Sequence, residues 1–520
     1  MSERDPGKSL IVLSTANARF SHTAFALRCL RANLGELEDK TELLEFTLED
    51  RATDMVERIL KRRPRIVGLG VYIWNSDLMV EVAHQLKQVA ADVVVIAGGP
   101  EVGFDTERHP IYPEVDHVIT GEAENLLLGL VRDILDQTPV PERIVSGPPP
   151  DLARLKLPYH LYTEQDIRHR VVYVETSRGC PFRCAFCLSA LDAKVRRYPE
   201  DALLGALDEL YRRGARRFKF IDRALHLGIT PRLLDFFHEK RDPDLFLHFE
   251  MVPDRIPTPL LHRLFAFPHG AVQVEAGIQT LNEAVAARIG RKHNLELALS
   301  NLRMLKEKSG VHIHADLVVG LPGESFESIR AGFDRLFALG LHEIQVGILK
   351  RLHGAPITRF DEGWGMVYNR KPPYDILCNE RIDFQTMQRF KRFAKVFDLV
   401  ANRGHFKRTV PFLIGEGSPF DRFWHLSDWL RQTAGRTHAI ALNRLASLLF
   451  RYATEVLGRA PADIANRLHA DFGAAGRRSF PAEVAAHVTR RESVVDAPPG
   501  ALPKRQARHR RGRSSEALDE

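Results

Sequence analysis

From residue 8 to 145 the chain alternates short, nearly continuous apolar runs with stretches whose apolar residues recur every three or four positions. SLIVLST, TELLEFTL, RIVGLGVY, DVVVIAGG and DHVITG read as strands, and FALRCLRANL, MVERILKRR, DLMVEVAHQLKQVA and AENLLLGLVRDIL as amphipathic helices. Apolar strands spaced by such helices predict a parallel sheet covered on both faces, a doubly wound α/β domain over residues 1–145. Residues 146–164, which contain GPPPDLARLKLPY, read as a proline-rich linker. A second alternating block covers 165–360, where VVYVET, RRFKFID, LHFEMV, AVQVEAGI, VHIHADLVVGL and HEIQVGIL head six βα units. From 361 to 481 the pattern is helical, and its Phe and Trp stripe reads as core. Residues 482–520 read as a disordered basic tail.

Directly after VVYVETS comes SRGCPFRCAFCLS, which sets Cys180, Cys184 and Cys187 in the spacing C-x3-C-x2-C. Three thiolates on one loop can hold three irons of a cubane cluster. The fourth iron is then open to a small molecule that carries an amine and a carboxylate. Gly179 and Pro181 suit a backbone that wraps a bulky inorganic core. A structural zinc site is the competing reading, but it wants four ligands, usually in two separated pairs. A redox C-x-x-C pair leaves Cys180 unexplained.

Composition narrows the class without naming a function. The 520 residues suggest several domains, and the apolar and charged fractions are ordinary for a soluble protein. No apolar run approaches the ~20 residues of a transmembrane helix, and the N-terminus lacks a signal-peptide core, so cytoplasm is expected. With only five cysteines, three of them on one loop, no disulfide framework exists. Much of the net charge of +7 sits in Lys504, Arg505, Arg508, Arg510, Arg511 and Arg513. A solvated tail is the default for such a run, with RNA contact as the alternative.

At SRGCPFRCAFCLS the chain resembles the radical S-adenosylmethionine (SAM) superfamily, with Phe186 as the aromatic before the last cysteine. The resemblance implies a [4Fe-4S] cluster on Cys180, Cys184 and Cys187, SAM on its open iron, and an external one-electron reductant of flavodoxin or ferredoxin type. It also implies that the six βα units form a partial, TIM-like barrel with its chemistry at the carboxyl ends of the strands. Where the superfamily often has Gly-Gly-Glu for the SAM amino group, this chain has Ile221-Asp222-Arg223, so Asp222 is the candidate acceptor, or else a helix cap. Glu250 ends the third strand. VEAGIQT resembles the ribose motif, with Glu275 and Gln279, and ADLVVGLPGES the adenine motif, with Gly320 and Leu321. Leu349 ends the sixth strand nearby. Lys350 and Arg351 either meet an anionic substrate or are a solvated strand end, and Cys378 is a substrate-proximal thiol or an ordinary buried one.

The first domain resembles the cobalamin-binding domain that precedes many radical SAM domains, through GLGVYIWNS, VVVIAGGPEVG and VITGEAE. Ligands of doubly wound sheets lie beyond the strands' carboxyl ends. That places Asn17, Tyr72, Trp74, Asn75, Gly98, Gly99, Pro100, Gly121 and Glu122 among the candidate cobalamin contacts. The D-x-H-x-x-G motif that gives cobalt a histidine is absent, since Asp116-His117 precedes Gly121 with the wrong spacing. Methylthiotransferases carry cysteines in this domain for a second cluster, whereas only Cys29 occurs here, on a predicted helix. The helical segment is similar to an uncharacterised domain found after such pairs.

Together these point to a cobalamin-binding radical SAM enzyme that methylates an unactivated carbon. Two alternatives stand beside it: radical rearrangement or oxidation with the same cofactors, and a non-catalytic corrinoid- or SAM-binding module whose tail contacts RNA. No substrate is named by the sequence.

Overall fold

The computed structural model describes residues 10–474 and 479–490, which fall into two compact units. The first runs to Asp222 and takes in Lys350–Thr358 and Asn369–Asp375; the second holds the rest. Among the described residues no helix is long and apolar enough to cross a membrane.

The first unit is built on strands β1 (Ile11–Asn17), β2 (Thr41–Thr47), β3 (Ile66–Gly70), β4 (Val94–Gly98), β5 (His117–Ile119) and β6 (Ile144–Val145), in the order β2-β1-β3-β4-β5-β6. Every ladder is parallel. All seven residues of β1 are buried, as a strand covered on both faces requires. Alternate residues feed two separate cores. Val12, Val67 and Val95 pack with Met55, Ile59 and Met79 of the helices Ala52–Leu60 and Ser76–Val89. Ile11, Leu13, Ile66 and Ile96 pack on the other face with Leu27, Leu127 and Val131 of the helices Phe25–Ala32 and Glu124–Leu135. This is the doubly wound domain that the pattern predicts. Cys29 lies on the helix Phe25–Ala32, as expected, and is buried there.

The 146–164 segment does not behave as a linker. Leu152, Tyr159 and Tyr162 are buried. The Tyr159 hydroxyl accepts from the Glu175 N–H at 3.1 Å, and Tyr162 does the same for Tyr173 at 3.0 Å. Prolines suppress helix here, but the tyrosines between them have apolar rings to bury, so the segment is a packed strap. Arg28, 3% exposed, adds ion pairs at 2.7 Å to Glu45 and 2.9 Å to Asp166.

The chain then forms β7 (Val172–Val174), the two-residue strands β8 (Ser177–Arg178) and β9 (Arg196–Arg197), which pair antiparallel, and β10 (Arg217–Phe220), parallel to β7. In the second unit β11 (Phe246–Met251), β12 (Val272–Gln279), β13 (His312–Val319) and β14 (Glu343–Ile348) form consecutive parallel ladders. The six strands expected of a partial barrel are thus all present. One face of β11 to β13 carries Leu247, Phe249, Val274, Ile313 and Ala315, all buried, and the other carries His248, Glu250, Glu275, His314 and Asp316.

The C-terminal helices Phe384–Phe397 and Pro419–Ala434 meet through Phe390, Phe393, Phe397, Phe420 and Trp424, which also enclose Phe326 and Phe333. The aromatic stripe is core, as expected. The ordered chain runs past the 481 boundary, because Ala482–Ala485 is helical with Val484 buried, and His487 stacks on Phe450 at 5.2 Å. The basic tail residues 504–513 lie outside the described residues. Phe420 is fully buried, with the centroids of five other rings of the cluster within about 6 Å, so Phe420→Ala should cost about 3–5 kcal/mol of unfolding free energy in urea titrations. A loss under about 1 kcal/mol would show that this cluster is not the core of the helical part.

Candidate active site

β8 and β9 clamp the ends of the cysteine loop, pairing Ser177 with Arg197 and Arg178 with Arg196. Within it the Cys180 N–H donates to the Asp192 carbonyl at 2.8 Å and the Cys187 N–H to the Cys184 carbonyl at 3.0 Å. Gly179 holds φ +92°, and a Cβ there would collide with the Lys194 carbonyl oxygen, so the turn into Cys180 requires glycine. None of the three cysteines is in a disulfide; Cys180 and Cys184 are buried, Cys187 and Phe186 half-buried. Three thiols on one clamped loop, each without a disulfide, are the donor set a cubane cluster with one open iron needs.

Two buried charges hold this loop. Asp222, 2% exposed, accepts from the Thr176 N–H at 3.2 Å, the Thr176 hydroxyl at 2.7 Å and the Ser177 hydroxyl at 2.5 Å. Burial pushes its carboxyl above the ordinary range against these donors. The structure thus places Asp222 as the brace of the strand that leads into the cysteines.

Arg178 precedes Gly179 and donates to Glu122 at 2.7 Å, Glu124 at 2.7 Å and Glu175 at 2.9 Å. Burial works against its charge, but Glu175 and Glu124 outweigh it and hold the guanidinium above its ordinary value. Arg196 also binds Glu122, and Asp192 at 2.9 Å. Burial raises Glu122, but hydrogen bonds from Arg196 and Arg178 prevail and keep it below the usual carboxylate range. Glu122 therefore faces the cysteine loop's arginines. Arg178, Arg196, Glu175 and Glu124 were not singled out from the sequence. A charged residue directly before the Gly-Cys turn, and the two acids of GEAE, were the only signals.

The other candidates for cobalamin contact lie at the carboxyl edge of the first sheet. Asn75 is buried and committed: its Oδ1 accepts from the Tyr72 N–H, and its amide donates to Thr15, Ala16 and Gly70. Asn17, also buried, donates to Glu45 at 2.7 Å. Gly99 has φ +118°, and a Cβ would strike the Val71 carbonyl, so it is glycine for strand packing. Gly98 is half-buried and pairs with Ile119, while Pro100 and Gly121 are exposed. Tyr72 and Trp74 stack 4.6 Å apart at 4°, and the Trp74 N–H donates to the Ala16 carbonyl.

Trp74 is 46% exposed, and the residues following the carboxyl ends of the neighbouring strands are also exposed apolar groups: Phe20 after β1, Leu48 after β2 and Phe104 after β4. Four large apolar side chains at one sheet edge suit a broad, largely apolar ring better than a small polar ligand. His117 begins β5 with its ring 3.1 Å from the Glu142 carbonyl, which accounts for it without cobalt.

The remaining SAM candidates belong to the second unit. Register sets Glu250 opposite Glu275, and Glu275 opposite His314, on the polar face; the His248 Nε2 lies 3.0 Å from Glu275. Gln279 ends β12 past a bulge at φ +71°. Gly320 turns at φ +98°, where a Cβ would meet Ile376, and Leu321 beneath it is fully buried. The Leu349 N–H donates to the Val319 carbonyl at 2.9 Å. Lys350 is exposed and bridges to Asp375; Cys378 is half-buried on a short strand pair with Val367.

Comparison with known proteins assigns family matches to three segments of the chain. Residues 11–131 match the B12 binding domain family, 174–336 the Radical SAM superfamily, and 362–495 a family of unknown function, DUF4080. The chain carries a B12-binding domain and a radical SAM domain. It is 28% identical over 336 residues to the cobalamin-dependent radical SAM methyltransferase TokK of Streptomyces tokunonensis, covering 57% of this chain and 48% of that protein. It is 27% identical over 346 residues to the 2-(S-pantetheinyl)-carbapenam-3-carboxylate methyltransferase of Streptantibioticus cattleyicolor, covering 58% and 50%. The chain thus spans about half the length of these curated relatives. The fold is shared with the radical SAM methyltransferase TsrM of Kitasatospora setae, solved with tryptophan and a SAM analog, at a TM-score of 0.57 and 19% identity, over 71% of this chain and 80% of that one.

Glu324, in the turn after β13, is 2% exposed and accepts from the Thr280 and Ser328 hydroxyls. Burial raises its carboxyl to about 7 against those bonds. The folded protein holds this proton more tightly than the unfolded chain. The stability it contributes is therefore whole below the ordinary carboxyl range and is lost as pH rises through about 7. Glu324→Gln cannot ionise, so between about pH 5 and about pH 8 its stability relative to the parent should improve by up to roughly 3 kcal/mol in urea titrations. A relative stability that stays flat over that range contradicts a buried, protonated carboxyl.

Proposed function

We propose that this protein is an enzyme that cleaves SAM reductively and, with cobalamin, methylates an unactivated carbon. One observation carries it: a clamped three-thiol loop and a sheet edge lined with exposed apolar residues occur in one compact unit. The relatives, both methyltransferases by name, support methyl transfer over rearrangement or oxidation.

In this reading Cys180, Cys184 and Cys187 hold the cluster, and Phe186 packs beside it. Asp222 and Arg178 hold the chain that leads into the loop. Gly320, Leu321 and Leu349 offer backbone and apolar surface to adenine, and Glu250, Glu275 and Gln279 polar atoms to the ribose. Trp74, Tyr72 and the glycine turns at Gly98 and Gly121 border the corrinoid. When bound, these groups supply reductive SAM cleavage and a transferable methyl group. Each methylated carbon then consumes two SAM and two electrons, and releases methionine, 5′-deoxyadenosine and S-adenosylhomocysteine. The electrons come from a flavodoxin- or ferredoxin-type donor, and a cytoplasmic setting suits the oxygen-sensitive cluster.

The test is anaerobic reconstitution with iron, sulfide and hydroxocobalamin, then reduction in the presence of SAM. 5′-Deoxyadenosine should form above the level of a variant with all three cysteines changed to alanine, and methyl transfer should add S-adenosylhomocysteine. No 5′-deoxyadenosine from fully loaded protein would contradict the reading.

A further inference from the structure

We propose that the cluster site and the cobalamin site are energetically coupled, with Arg178 and Arg196 as the positioning residues that couple them. This rests on the function proposed above. It goes further by assigning a role to a charge network of which only Glu122 is among the expected cofactor contacts.

On one side the network belongs to the cysteine loop. Arg178 is one residue from Gly179 and two from Cys180, and Arg196 is its partner across the β8–β9 clamp. Arg196 also binds the Asp192 carboxylate at 2.9 Å, while the Asp192 carbonyl receives the Cys180 N–H at 2.8 Å. On the other side it belongs to the turn beyond β5. Gly121 turns at φ +79°, and Glu122 and Glu124 follow it into the helix Glu124–Leu135. Glu122 reaches both strands of the clamp, through Arg178 at 2.7 Å and Arg196. Glu124, 4% exposed, takes the second arm of Arg178, also at 2.7 Å. Glu175 takes the third at 2.9 Å and accepts from the Tyr198 hydroxyl at 3.1 Å.

The side chain of Arg178 is 13% exposed, so water only partly replaces a partner that withdraws. Shifting either segment alone would strand buried charge, which ties the conformation of the 121–124 turn to that of the cysteine loop. A ligand that settles one should therefore change the affinity of the other, and the effect must be reciprocal. The planar fork of arginine matters here, because three carboxylates are met in three directions, which a lysine ammonium does not reproduce.

The experiment is an anaerobic titration of the full chain with hydroxocobalamin, followed by visible absorbance, in cluster-loaded and cluster-free states. Coupling predicts dissociation constants that differ by about fivefold or more. In Arg178→Lys and Glu124→Gln the ratio should fall toward one, although all three cysteines remain. The reciprocal readout is the rate at which an iron chelator strips the oxidised cluster, which should change when hydroxocobalamin is bound in the parent and less in the variants. The parent comparison needs no variant, so a misfolded substitution does not weaken it. Equal affinity in both states overturns the coupling, and a ratio unchanged in well-folded variants overturns its assignment to Arg178. No hydroxocobalamin binding in either state overturns instead the cobalamin reading on which the proposal rests.

Discussion

The loop that carries Cys180, Cys184 and Cys187 is held at its ends by hydrogen bonds to buried charge. Cys180, Cys184 and Ala185 of this loop are buried, but apolar packing is not all that orders it. The Asp222 carboxylate ties down the strand entering the loop, and the Arg178 guanidinium ties the next residue to three acids. Each charge is costly to bury and costlier to leave unpaired, which makes the arrangement stiff.

The two sheets use one principle in opposite ways. In the N-terminal sheet the strand β1 is buried on both faces, and Phe20, Leu48, Trp74 and Phe104 stand exposed at the carboxyl edge. In the second unit apolar residues fill one face of the strands, and the other holds His248, Glu250, Glu275, His314 and Asp316. The first arrangement offers a flat apolar border; the second offers hydrogen-bonding groups in register.

Long apolar runs made the strands readable, because burial on both faces leaves little room for polar residues. LHFEMV and VHIHADLVV also show period-two alternation, so their polar face was legible in principle. Strands of two residues were not: Ile144–Val145 and the β8–β9 clamp are too short to carry a period. The proline-rich strap was misread because composition reports backbone stiffness and not where Tyr159 and Tyr162 bury their rings. The cysteine spacing was plain, since its chemistry is local. The acids and arginines around it were not, because Glu122 and Arg196 lie 74 residues apart and meet only through the fold.

The most direct measurement is the electron paramagnetic resonance spectrum of the anaerobically reconstituted, reduced protein, with and without SAM. A vacant iron corner predicts a cubane signal that shifts when SAM is added and is abolished when Cys180, Cys184 and Cys187 all become alanine. A signal indifferent to SAM, or one that survives loss of the three thiols, would contradict the account.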